Sequence, residues 1–148
     1  MAPPNAHKAA HQYKSTGHYS AVAYSDPHQR VLMLFDGLLD RLARARGAID
    51  REAVAEKGVY LSKAIGIVDG LRGCLDFEKG GQIAQNLKAL YDYAEIKLFE
   101  SNMDNNIGKI DEVAVIINNI REGWVGINRN FADQKAVAGE QVTVNALG

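Results

Sequence analysis

The chain has 148 residues, 17 Lys and Arg against 18 Asp and Glu, and an apolar share of 47%. That length buries a sizeable single core without covalent staples, and the near-neutral charge argues against a dedicated nucleic-acid binder. One cysteine, Cys74, excludes an internal disulfide and a multi-cysteine metal centre. No apolar run reaches bilayer-spanning length, and Met1 to Lys14 holds no signal-peptide core. The expected compartment is therefore the cytoplasm, with no membrane insertion.

Residues 1–25 read as a flexible N-terminal arm. They carry Pro3-Pro4, three of the four histidines and three tyrosines, without a sustained period. Such an arm either folds back over an apolar patch or leads loosely into the first helix. Asp26-Pro27 then gives a strong helix start, an N-cap carboxylate followed by proline at the first helical position. Gln29 stands where a capping-box partner belongs. Val31, Leu34, Phe35, Leu38, Leu42, Ala45 and Ile49 form a stripe at helical spacing, which predicts a first helix from about Asp26 to Ile49.

Leu61, Ala64, Ile65, Val68, Leu71 and Leu75 predict a second helix from about Ala53 to Leu75. Asp76 to Gly81 reads as a loop. Ile83, Leu87, Leu90, Tyr91, Ala94 and Leu98 predict a third helix from about Gln82 to Ser101. After a polar turn at 102–106, with Asn105 or Asn106 as the cap, Ile107 to Trp124 carries the last stripe. Periodicity fades from about Arg129, so 129–148 reads as a frayed tail. Four helices with short connections, free of proline after Pro27, imply an all-α fold: an antiparallel four-helix bundle over 26–128.

Enzymatic chemistry finds no support. A bundle di-iron centre needs inward carboxylates and Glu-x-x-His pairs, and no histidine follows His28. Haem ligation and phosphate-loop signatures are equally missing. His7 and His11 are four apart but read as solvated arm residues, and Cys74 lacks a histidine base. No metal or cofactor is expected.

Three features exceed what a plain bundle needs. Gly66, Gly70 and Gly73 share one face of the second helix. Each mid-helix glycine costs about 0.5–1 kcal/mol relative to alanine, so the face implies either close packing against a neighbour or a shallow surface channel. The third helix carries apolar residues too widely for one core stripe, with Tyr93, Ile96 and Phe99 beyond it, and the fourth has the run Val113 to Ile117. Surplus apolar surface points to an interface. The aromatic arm, with Tyr13, Tyr19 and Tyr24, is the remaining feature.

The stretch from Tyr13 to about Ile127 resembles the flagellar secretion chaperone FliS family. The matching pieces are Tyr13, Ser20-Ala21-Val22, Asp26-Pro27-His28, Met33-Leu34-Phe35-Asp36-Gly37 and Lys57-Gly58. Leu61-Ser62-Lys63-Ala64-Ile65, Leu75-Asp76, Glu78-Lys79-Gly80-Gly81-Gln82-Ile83-Ala84, Asn86-Leu87 and Leu90-Tyr91-Asp92-Tyr93 follow in order, with Leu98, Asn102, Glu112-Val113 and Trp124. Where members often have Met and basic residues after the second tyrosine, this chain has Ala94-Glu95-Ile96-Lys97.

The resemblance implies a cytosolic chaperone that binds the disordered C-terminal segment of flagellin in apolar grooves. Binding prevents premature polymerisation and aids delivery to the flagellar type III export gate. It also implies that Tyr13 covers part of the groove when no client is bound. Combined with the stripes, it makes Ile65, Val68, Leu71, Leu87, Leu90, Tyr91, Ala94 and Leu98 the expected groove, with Gly66, Gly70 and Gly73 as its small-residue face. The alternative is a regulatory or adaptor bundle that self-associates, as a homodimer, through the same apolar surface.

Overall fold

The structure is a computed structural model that describes residues 26–138, with side chains described for 26–127. The arm, with Tyr13, His7 and His11, lies outside the described residues. Among them are four helices and no strand: α1 (Pro27–Asp50), α2 (Val54–Gly73), α3 (Phe77–Asp104) and α4 (Ile107–Ala138).

Local chemistry sets the helix ends. The Asp26 carboxylate accepts the His28 amide at 3.0 Å, and Pro27 needs no acceptor. Past α1, Glu52 turns the chain in a left-handed conformation, φ 56°. Asp76 caps α3 by accepting the Lys79 amide at 3.0 Å. This cap starts α3 at Phe77, so most of the expected loop 76–81 is helical. The break expected there narrows to one residue, Gly81, whose φ of 50° favours the absence of a Cβ.

Asn105 closes α3 rather than opening the next helix. It adopts the left-handed conformation and donates its amide to Ser101 O at 2.9 Å. Helix α4 continues through 129–138, beyond the expected bundle boundary. No glycine or proline interrupts that stretch, and a helical backbone bonds itself without an apolar stripe. Fading periodicity marks the end of the packing signal, not of the helix.

The helices form a ring in which each touches only its two neighbours: α1 with α2, α2 with α3, α3 with α4 and α4 with α1. Residue order reverses along the seams. Asp36 meets Arg121 and Arg46 meets Asp111 between α1 and α4, while Lys57 meets Asn102 and Arg72 meets Glu95 between α2 and α3. The bundle is thus antiparallel. Its core takes Phe35, Leu38 and Leu42 from α1, Leu61, Val68 and Leu71 from α2, Tyr91 and Leu98 from α3, and Ile110, Val113 and Ile117 from α4.

Candidate partner-binding surface

Five of the residues expected to line a groove belong to the core instead. Val68, Leu71, Tyr91, Ala94 and Leu98 are each at most 2% exposed. Their stripe faces the ring interior and packs in the hydrophobic core. Burial also pushes the Tyr91 hydroxyl pKa up, with a smaller push from nearby Cys74. Ile65 and Leu87 are half-buried against the core, and Leu90 is 38% exposed.

The surface apolar residues lie elsewhere on the same helix. Ten large hydrophobic residues are exposed among the described residues, and seven are on α3: Phe77, Ile83, Leu90, Tyr93, Ile96, Phe99 and Met103. At 100° per residue, those beyond Gly81 fall on two flanks of the α3 core stripe. Ile96, Phe99 and Met103 take the side toward α2; Ile83, Leu90 and Tyr93 take the side toward α4.

The flank toward α2 is crossed by a charged bridge. Arg72 donates to Asp69 at 2.8 Å, lies 2.9 Å from Asp92 and bonds Glu95. Lys88 adds a bond to Asp92 at 2.7 Å. These groups and the apolar Ile96 and Phe99 border one open hollow. The Lys88 bond, helped by both cations' charge, holds the Asp92 carboxyl below its ordinary pKa.

The flank toward α4 is tied at two levels. The Tyr93 hydroxyl donates to Glu112 at 2.6 Å, which raises its pKa, and the Lys97 ammonium sits 5.3 Å from the Tyr93 ring centre. Further along, Lys109 bonds Asp104 at 2.6 Å and lies 3.2 Å from Glu100, and both carboxyls are held below their ordinary values chiefly by that lysine.

Gly66, Gly70 and Gly73 face outward and are exposed. A Cβ built on any of them meets nothing within 4 Å. Of the two readings of this face, close packing against a neighbouring helix is excluded among the described residues, which leave an open shallow surface there.

Sequence reasoning missed the groups that join distant helices. His28 and Trp124 clasp α1 to α4: their rings stack at 4.6 Å, the His28 Nε2 meets Trp124 O at 2.8 Å, and the indole N–H donates to His28 O at 3.0 Å. No stripe announces such a pair. For Tyr93, Ile96 and Phe99 the signal was present as an α3 apolar arc too wide for the core. Cys74 is a half-buried free thiol, and no cluster of metal-ligating side chains occurs among the described residues. Among them no helix is long and apolar enough to cross a membrane.

Residues 9–130 match the sequence model of the family described as flagellar protein FliS. The chain is 43% identical over 121 residues to the flagellar secretion chaperone FliSB of Pseudomonas aeruginosa, covering 82% of this chain and 96% of that relative. It is 45% identical over 118 residues to the flagellar secretion chaperone FliS of Salmonella typhimurium, covering 79% and 87%. A more distant relative is the flagellar secretion chaperone FliS of Bacillus subtilis, at 28% over 105 residues, covering 71% and 77%.

Proposed function

This chain belongs to the flagellar protein FliS family, and on that footing we propose that it shields the C-terminal segment of flagellin along the flanks of α3 before export. Membership makes it a flagellar export chaperone and not an enzyme. The client segment is disordered when free, folds into helices on binding, and is thereby kept from polymerising in the cytoplasm until the flagellar type III export gate receives it.

The observation that carries this reading is the concentration of exposed apolar side chains on one helix, seven of ten on α3. Amphipathic helices dock by laying apolar anchors at helical spacing into such grooves. Two separated flanks suit a segment that wraps as more than one helix. The open glycine face of α2 admits a close backbone approach. Folding on binding costs a few kcal/mol of ordering, and a long wrapped contact offsets that.

The test is calorimetric titration of the full chain with the C-terminal peptide of its own organism's flagellin. The expected result is one-to-one binding with a large negative heat-capacity change, the signature of apolar burial coupled to folding. No binding, together with a concentration-dependent dimer on a sizing column, would replace this reading with the self-associating adaptor.

A further inference from the structure

Acidic charge is not spread evenly over the four helices. Helix α3 carries Glu78, Asp92, Glu95, Glu100 and Asp104 against Lys79, Lys88 and Lys97, a net charge of −2. The balance is four cations to three carboxylates on α1, three to two on α2 and four to four on α4. The one acidic helix is therefore also the one that holds seven of the ten exposed large hydrophobic residues found among the described residues.

The surplus lies beside the apolar side chains themselves. On the flank toward α2, Asp69, Asp92 and Glu95 all lean on Arg72, and Lys88 adds a second contact to Asp92. On the flank toward α4, Glu100 and Asp104 share Lys109, Lys97 reaches Glu100 at 3.3 Å, and Glu112 has a neutral partner, the Tyr93 hydroxyl. Each flank thus sets three carboxylates against two cations, and those cations are already divided among them. Asp92 and Glu95 border the same hollow as Ile96 and Phe99. Asp92 and Ile96 are four residues apart, as are Glu95 and Phe99, so an acid stands one helical turn from each apolar anchor.

We infer that the segment docking on α3 is basic, an amphipathic helix with Lys or Arg about one turn from its apolar anchors. This rests on the flagellin reading and narrows it from amphipathic segments in general to one charge class. An ammonium or guanidinium arriving at either flank meets carboxylates that share their cations. An arriving carboxylate meets cations already engaged and like charge beside them, which selects against acidic segments. The groups are solvent-exposed at the rim, so the preference is screened by salt and acts on encounter and partner choice.

Titration of the full chain with the C-terminal peptide of its own organism's flagellin, at about 50 mM and about 500 mM salt, tests it. Affinity is expected to fall about tenfold across that range. Glu95→Gln and Glu112→Gln, one on each flank, keep an acceptor for Arg72 and for the Tyr93 hydroxyl while removing the charge. Each should weaken binding at low salt about threefold, and Asp50→Asn on α1 should leave it unchanged. Replacing the Lys and Arg of the peptide by Gln should weaken binding and flatten its salt response. Binding that does not fall with salt, or that both glutamine variants leave unmoved, would overturn the inference while the flagellin reading stands. No binding at either salt would remove that reading and this inference with it.

Discussion

Helices α1 and α3 contribute alike to the interior and differ completely outside. Five residues of α1 and six of α3 are buried. Outward, α1 shows Arg30, Asp36, Asp40, Arg44, Arg46 and Asp50 and no large hydrophobic residue, whereas α3 shows seven. Most of these α1 charges sit in ion pairs, Arg44 with Asp40 at 3.0 Å, Arg46 with Asp111 at 3.0 Å and Arg121 with Asp36 at 2.7 Å. A solvated face of that kind is what a bundle needs to stay soluble. The packing of the four helices does not demand the apolar exterior of α3, so its cause lies outside the described bundle.

The strongest way to break this contrast is to charge α3. Ile96→Asp with Phe99→Asp should weaken client binding about a thousandfold, the sum of two anchors at roughly 2 kcal/mol each, while circular dichroism stays helical. Arg44→Ala on α1 should leave the affinity within twofold. If the two variants behaved alike in the titration, the outer faces would be functionally equivalent and the α3 groove would be lost.

A second substitution separates core from groove within α3. Leu98→Ala should cost about 3 kcal/mol in urea unfolding, because it leaves a cavity among fully buried neighbours. Leu90→Ala, at the exposed position, should cost under about 1 kcal/mol of stability and act on binding instead. The smallest expected effect is at the glycine face. Gly66→Ala and Gly70→Ala should each add about 0.5–1 kcal/mol of stability, since the new methyl meets nothing. The same pair should weaken the client. Unchanged affinity would remove the glycine face from the docking surface.

Much of the scaffold was legible because its signals are local. Asp26-Pro27 fixes the start of α1, and the stripes assign each helix. Where a signal was absent the reading went astray. The cap at Asp76 starts α3 inside an apparent loop, and α4 persists past residue 128 without a packing stripe. The site was harder for a different reason. Val68, Leu71, Tyr91, Ala94 and Leu98 repeat at helical spacing, and spacing alone does not say whether a stripe meets neighbouring helices or a visitor. Only the ring arrangement decides that. The Arg72 bridge and the Lys57 contacts were invisible for the same cause, since they join residues whose adjacency depends on the seam between α2 and α3.

The His28–Trp124 clasp has an optical consequence. Three of the four seams join helices consecutive in the chain, and such short-range contacts form at small entropic cost. The seam between α1 and α4 alone must bring together residues 96 apart, so it closes the ring. The chain's single tryptophan stands on that seam, stacked on an imidazole. Its emission is therefore a built-in clock for ring closure during refolding.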